Sequence, residues 1–189
     1  MSKLKVLIIA TSLRAGSFSK KLAKIAAKNL ESSGQEVTFA DLADFPLPLY
    51  NQDISVSDFP KEAFSIEKMM REHHVWIIAA PEYNYSMSGA TKNLIDWVSR
   101  IPDNKPNFQL FANKVIGLMS SSPGPSAGSN CVRHLRESLS TLGCVVIPSQ
   151  VCLGNSFSAF NDKDELLSID NQKLVEKMLT QLVEFGSKV

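Results

Sequence analysis

The stretch KVLIIATSLRAGSFSKKLAKIAAKNL, residues 5–30, contains the change of hydrophobic pattern that decides the fold class. After Lys5 its first residues are apolar on both faces, which is typical of a strand buried in the middle of a parallel sheet. From Phe18 to Leu30 the apolar residues recur with helical spacing, and Gly34 ends the predicted helix. A buried strand, a polar loop and an amphipathic helix in succession form the repeating unit of an α/β fold.

This unit recurs along the chain. Further strands are predicted at residues 36–42, 74–80, 114–120 and 144–150, and further helices at residues 62–72, 88–100, 130–142 and 171–185. The alternation predicts an α/β fold in which a doubly wound, five-stranded parallel sheet of order 2-1-3-4-5 carries helices on both faces. The sequence contains no internal repeat, low-complexity tract or linker, so we expect residues 1–189 to form a single domain.

Composition and charge exclude several classes of protein. Hydrophobic residues make up 44% of the 189 residues and charged residues 21%, which is ordinary for a soluble globular protein. The formal net charge of +1 gives no field strong enough to favour nucleic acid or an anionic membrane as a partner. The N-terminal apolar run is too short for a signal peptide or a membrane span, and we interpret it as a strand.

The three cysteines bear on location and metal binding. Cys131, Cys144 and Cys152 are an odd number and have neither CxxC nor zinc-ligand spacing, so the sequence predicts no metal site. They fit a reduced, cytoplasmic environment, in which we expect them to be small buried apolar residues.

The predicted strand order brings three loops to one place. In a doubly wound sheet of this order, the loops after strands one, three and four meet at the carboxyl ends of the strands, where ligands bind. We call them the first loop (residues 11–19), the second loop (residues 81–86) and the third loop (residues 120–129). Because all three are chemically unusual, we expect a ligand site between them.

The first loop, TSLRAGSFS, carries four hydroxyl side chains and Arg14 directly before a helix. Free N–H groups at a helix N-terminus, hydroxyl donors and a guanidinium fork all favour a phosphate. The loop matches neither GxGxxG nor GxxxxGK[ST], so we predict a terminal monophosphate, such as that of FMN, rather than a dinucleotide diphosphate. The alternative is an ordinary helix start, with Ser17 as the N-cap and Arg14 in solvent.

The other two loops suit a flat ring. The second loop, PEYNYS, combines polar and aromatic residues that can bracket a heterocycle, and its backbone groups suit the edge of a pyrimidine-like ring. The third loop has small residues and no carboxylate, so backbone N–H groups can approach a ligand. The alternatives are a proline turn before a helix capped by Ser88, and a mobile Ser/Pro/Gly-rich loop.

Two motifs resemble a known family. TSLRAGSFS (residues 11–19) and PEYNYSMSGATKNLIDWVSR (residues 81–100) resemble the NAD(P)H-dependent FMN reductase family of the flavodoxin-like fold, which includes quinone and chromate reductases. The resemblance covers most of the chain and implies non-covalent FMN, with its phosphate on the first loop and its isoalloxazine near the second and third loops. The implied cofactor-binding residues are Ser12, Arg14, Ser17, Ser19, Pro81, Glu82, Tyr83, Asn84, Ser120, Ser121, Ser122 and Gly124.

The resemblance also implies an activity. The expected function is hydride transfer from NADH or NADPH, the co-substrate, through bound FMN to a quinone, an azo compound, a metal oxyanion such as chromate, or free flavin. Because the flavin carries this chemistry, no side chain is required as a catalytic acid or base.

Two other functions fit the same fold. A flavodoxin-type electron-transfer protein needs a strongly acidic docking surface and a T-G-x-T phosphate loop, and this sequence has neither. A flavin-free regulatory or interaction module is disfavoured by the intact phosphate-binding chemistry of the first loop.

We expect a small-molecule acceptor, with no nucleic acid or membrane partner, and a homodimer or homotetramer. The region from Tyr85 to Arg100 predicts more apolar area than one helical face needs, in Tyr85, Met87, Leu94, Trp97 and Val98. The resemblance implies that the dimer is built around this region.

Overall fold

The computed structural model describes residues 3–189 of the chain. The strands are β1 (Lys5–Ala10), β2 (Glu36–Asp41), β3 (Val75–Ala79), β4 (Glu82–Tyr83), β5 (Ser86–Met87), β6 (Val115–Ser121) and β7 (Val145–Leu153). The α-helices are α1 (Phe18–Ser32), α2 (Lys61–Glu72), α3 (Gly89–Val98), α4 (Ser129–Thr141), α5 (Ser156–Ala159) and α6 (Ile169–Gly186). Short 3-10 helices are formed by Leu42–Asp44, Val56–Asp58 and Phe108–Leu110.

Five strands form a parallel sheet of order β2-β1-β3-β6-β7, which confirms the predicted order 2-1-3-4-5. The side chains of β1 alternate between two cores, as the pleat of a strand requires. Val6 and Ile8 pack with the apolar faces of α1 and α6, whereas Leu7 and Ile9 pack with those of α2, α3 and α4. Helices on both faces explain why the central strands are apolar throughout.

Three features of the backbone differ from the prediction. Strand β7 continues to Leu153, three residues beyond its predicted end. The pair β4–β5 forms a two-stranded antiparallel hairpin, and its turn places Asn84 and Tyr85 in the left-handed region, with φ of 49° and 61°. The hairpin and the four-residue helix α5 are too short to produce a hydrophobic period, and the turn lacks the glycine that usually marks such a conformation.

Helix α3 buries its large apolar residues inside the chain itself. Leu94 is 2% exposed, and Trp97 and Val98 are fully buried. The Trp97 ring packs edge-on against Tyr50 and Phe59, at centroid distances of 5.1 and 5.2 Å. The sequence argument that counted these three α3 residues as surplus interface area is therefore wrong, although it leaves the oligomeric state itself a prediction.

Among residues 3–189, no helix is both long and apolar enough to cross a membrane.

Candidate functional site

The three loops meet at the carboxyl ends of β1, β3 and β6. At the end of β1, the Thr11 hydroxyl lies 2.7 Å from that of Thr91, the residue that α3 places beside it. The Ala80 carbonyl, directly before the second loop, accepts hydrogen bonds from Ser19 Oγ at 3.3 Å and Ser120 Oγ at 2.7 Å. One carbonyl thus joins all three loops, and the crevice predicted from the strand order is formed.

The N-terminus of α1 offers free donors at this crevice. Ser17 is the N-cap residue and is 4% exposed, yet among the described residues its side chain makes no capping hydrogen bond. Ser12 is 2% exposed, and its hydroxyl accepts a long bond from the Arg14 backbone N–H at 3.4 Å. The Arg14 side chain is exposed, and no carboxylate within residues 3–189 pairs with it. Hydroxyls, a cation and unpaired helical N–H groups together suit an anion.

The two other helices that follow site loops have occupied N-termini. Ser88 caps α3, since its hydroxyl accepts from the Thr91 N–H at 3.3 Å. Helix α4 begins after Gly128, which has no side chain to cap it, and Glu82 of the second loop takes that role. One Glu82 carboxylate oxygen accepts from the Cys131 N–H at 3.0 Å, and the other accepts from the Ser126 hydroxyl. Of these three helices, α1 alone keeps an uncapped N-terminus in the part of the chain that the structure describes.

The environment of Glu82 keeps its carboxyl group ionised. Burial raises the pKa of Glu82, but hydrogen bonds from Ser126, from the Cys131 N–H and from Asn130 together lower it, and the net pKa lies below the ordinary value. The ionised carboxylate ties the second loop to the third loop and to α4. It is a structural anion of the site rather than a proton donor.

The residues predicted to bind the cofactor fall into two groups, those that are buried and those that are accessible at the crevice. The hydroxyls of Ser19, Ser120 and Ser121 are buried and bonded within the chain: Ser19 and Ser120 donate to Ala80, and Ser121 lies 2.8 Å from the Ser156 hydroxyl. Pro81, Ser12 and Ser17 are buried as well. The residues exposed or half-buried at the crevice are Arg14, Glu82, Tyr83, Asn84, Ser122 and Gly124. The assignment of both groups to the cofactor stays a prediction.

A fourth segment, residues 154–157 after β7, borders the site and was not predicted from the sequence. A Cβ atom added to Gly154 would lie 3.4 Å from Ala127 Cβ, so this glycine packs directly on the third loop. The Ser156 hydroxyl bonds to Ser121, and the 81% exposed Phe157 ring lies edge-on to Phe18 at 5.2 Å. The only signal in the sequence is the small-residue run Gly-Asn-Ser after a strand.

Two of the cysteines, Cys131 and Cys152, lie near Glu82 of the crevice. Cys131 is in the first turn of α4 and is buried, Cys144 is buried, and Cys152 in β7 is half-buried. Burial raises the pKa of Cys131 to about 12, that of Cys144 to about 12 and that of Cys152 to about 11. The negative charge of Glu82 also raises the pKa of Cys131 and Cys152. All three thiols are therefore protonated at neutral pH, as expected for small buried apolar residues.

Comparison with known proteins gives one consistent family. A family model described as NADPH-dependent FMN reductase matches residues 4–158. A quinone reductase of Escherichia coli (strain K12) is 33% identical over 97% of this chain and 94% of its own length. An NAD(P)H-dependent FMN reductase of Pseudomonas aeruginosa is 32% identical over 95% of this chain and 93% of its own length.

A solved structure supports the fold. The flavoenzyme NAD(P)H:(acceptor) oxidoreductase FerB of Paracoccus denitrificans superposes with a TM-score of 0.82 at 23% identity, over 98% of each chain.

Proposed function

The chain belongs to the NADPH-dependent FMN reductase family and is an FMN-dependent NAD(P)H oxidoreductase, and from this premise we propose how its own residues hold the cofactor. When bound, FMN supplies the redox chemistry, because it accepts a hydride from NADH or NADPH and passes it to an acceptor. The chain has to bind the flavin, orient it and leave one face open to both substrates.

The FMN phosphate binds at the first loop and the N-terminus of α1. The observation that carries this proposal is that α1 is uncapped, whereas α3 and α4 are capped by Ser88 and Glu82. Ser12, Ser17 and the backbone N–H groups of the first turn supply neutral donors, and Arg14 supplies the charge. Ser19 holds the first turn of α1 in place through its hydrogen bond to the Ala80 carbonyl.

The isoalloxazine lies between the second and third loops. Pro81, Tyr83 and Asn84 border it on one side, and Ser122 and Gly124 border it on the other. Glu82 and Ser120 keep these two walls at a fixed separation through the bonds described above, and Ser121 joins the third loop to Ser156. The third loop contains no carboxylate, so its N–H and hydroxyl donors stabilise negative charge that develops on the ring during hydride transfer.

The acceptor is a small molecule of the quinone or flavin type. A quinone is the proposed physiological acceptor, and the quinone reductase name of the Escherichia coli relative supports it. The three free thiols support a cytoplasmic location.

Flavin released from the purified protein by heat is expected to comigrate with FMN on chromatography. The reason is that the first loop offers donors for a terminal phosphate and lacks the glycine pattern that a bridging diphosphate requires. Protein stripped of flavin is then titrated with FMN and with FAD as a matched pair. Recovery of FAD alone, or no flavin uptake on reconstitution, would show that the proposed site is wrong.

Arg14→Ala is expected to weaken FMN binding by about 1.5–3 kcal/mol, or about 10- to 150-fold in Kd, the range for a hydrogen bond to a charged group. The exposed Arg14 side chain makes no ion pair with the described residues, so the free energy of unfolding of the apoprotein should not change. Fluorescence titration with FMN gives the Kd. Lys24→Ala is the control, because Lys24 is exposed on α1, the helix that follows the first loop, and carries the same charge. Equal affinities for the two variants would remove Arg14 from the site.

A homodimer is expected from Tyr85 of the second loop, whose aromatic ring is left 72% exposed near the crevice. Light scattering at micromolar concentration should give at least twice the mass of the chain. Tyr85→Ser should raise the dimer dissociation constant while Phe64→Ser, at an exposed position on α2, should not. A monomeric mass for the unmodified protein would contradict this expectation.

A further inference from the structure

An apolar cavity of about 660 Å³ lies beside the first loop. Its walls include Leu13 of that loop, Phe45, Leu47 and Leu49 of the segment after β2, and Ala90 of α3. Among the described residues that line it, Asn93 is the one with a polar side chain, and none is charged. Asn93 is already satisfied, since its Oδ1 accepts from the Tyr50 N–H at 2.8 Å and its Nδ2 donates to the Pro48 carbonyl at 3.0 Å.

This cavity shares a wall with the proposed flavin site. Leu13 lies between Ser12 and Arg14, and Gly89 and Ala90 begin α3 directly after its cap Ser88. The volume is within the range of small-molecule sites, roughly 300–1,000 Å³. Leu13 and Leu49 are large apolar side chains left 61% and 84% exposed, so the cavity offers apolar surface that the monomer does not cover.

We propose that this cavity binds the alkyl substituent of a quinone acceptor, so that the enzyme prefers quinones with an apolar side chain over small or anionic acceptors. The inference rests on the proposed function, in which the acceptor is a quinone. In the reaction, NAD(P)H loses a hydride, and the quinone gains those two electrons with one proton from the hydride and a second proton from water. A quinone ring at the crevice, with its substituent directed past Leu13, would place the alkyl chain in the cavity.

The chemistry of the lining selects among the acceptors of this family. Chromate, sulphonated azo compounds and free flavin phosphate carry negative charge, and the lining offers neither a cation nor a free N–H donor among its described side chains. NAD(P)H carries a diphosphate and is excluded from the cavity for the same reason. An alkyl chain requires only removal from water, and each methylene that is buried raises affinity by about two- to fourfold.

The test uses the holoenzyme and a series of 2-alkyl-1,4-benzoquinones from methyl to hexyl. The value of kcat/KM at saturating NADPH or NADH should rise by about two- to fourfold for each added methylene. Equilibrium dialysis of the same quinones, without NAD(P)H, should give dissociation constants that fall by a similar factor. The dialysis separates binding in the cavity from turnover.

Gly89→Leu tests the location. A Cβ atom at Gly89 meets no described atom within 4 Å, and the residue has no left-handed φ, so leucine fits the backbone and occupies the cavity. In this variant the hexylquinone should lose at least tenfold in kcat/KM and in binding, while methylquinone changes by less than about twofold. Lys92→Leu is the control, because Lys92 is exposed on the same helix and is not among the cavity residues.

The outcomes are separable. The inference is overturned if kcat/KM does not rise with alkyl length in the unmodified enzyme. It is also overturned if Gly89→Leu leaves that rise unchanged. A third outcome is that the unmodified protein is a dimer, that Gly89→Leu is a monomer, and that kcat/KM does not rise with alkyl length. This outcome would assign the cavity to a second copy of the chain and would also overturn the inference. Failure of the proposed function shows differently, as an absence of NAD(P)H-dependent reduction of methylquinone, and the dialysis series still decides whether the cavity binds alkyl chains.

Discussion

Gly128→Ala is expected to destabilise the protein by about 2–5 kcal/mol and to abolish FMN binding at micromolar concentrations. Gly128 has φ of 82°, and left-handed backbone costs an alanine roughly 1–2 kcal/mol. An added Cβ atom would also lie 2.1 Å from Ser120 Oγ and 2.5 Å from Ser120 Cβ. Ser120 is fully buried and bonded to the Ala80 carbonyl, so relief of this overlap would require β6 or the third loop to shift, at about 1–3 kcal/mol.

Urea unfolding of the apoprotein measures the first effect, and titration with FMN measures the second. Gly124→Ala is the matched control for stability, because it adds the same methyl group to the same loop. There the nearest described atom, Ser122 Oγ, would be 3.6 Å away and φ is not left-handed, so the free energy of unfolding should change by less than about 0.5 kcal/mol. A loss below about 1 kcal/mol for Gly128→Ala would mean that the third loop adapts and does not fix the site.

Glu82→Ala is expected to cost about 2–5 kcal/mol of unfolding free energy at pH 7. The substitution removes the acceptor for the Cys131 N–H and the Ser126 hydroxyl, and it leaves the N-terminus of α4 without a cap. A lost cap costs about 0.5–2 kcal/mol, and a lost hydrogen bond to a charged group costs about 1.5–3 kcal/mol. FMN affinity should fall as well, because Glu82 holds the third loop against the second.

The role of the Glu82 charge is tested by comparing the pH dependence of stability in the wild type and in Glu82→Gln. Since the pKa of Glu82 is lower in the folded protein than its ordinary value of 4.5, its contribution to stability is complete above that value. The contribution is lost as the pH falls through the folded pKa. The difference in unfolding free energy between the wild type and Glu82→Gln should therefore be constant from pH 7 to about pH 5 and shrink below pH 4.5. A difference that grows on acidification would contradict the assignment.

The fold could be predicted because the central strands are buried on both faces. Strands β1 and β3 are almost entirely apolar, and β6 has no polar side chain up to Met119, so their positions follow from the sequence, and the strand order follows from the alternation with helices. The end of β7 could not be predicted, because Ser149 and Gln150 are polar and the strand continues only through its pairing with β6 up to Ser121–Leu153. The single-domain organisation remains a prediction from the absence of a linker.

The residue types of the site could be predicted from the sequence, but the hydrogen bonds between them could not. Clusters of hydroxyl and small residues identify the loops, but whether a serine faces a ligand or the interior depends on its tertiary partners. Ser19 and Ser120 donate to Ala80, a backbone carbonyl at least 40 residues away in the sequence for each. The bond from Cys131 to Glu82 spans 49 residues, and no local pattern around Glu82 reports it.

The buried state of the cysteines has a consequence for an enzyme whose relatives reduce quinones. Quinones are electrophiles, and the nucleophile that they arylate in proteins is the thiolate. Burial raises the pKa of Cys131 and Cys144 to about 12 and that of Cys152 to about 11, so all three thiols are protonated at pH 7. The same burial that packs α4 and β7 against the sheet therefore protects the thiols from arylation by quinones, the proposed acceptors.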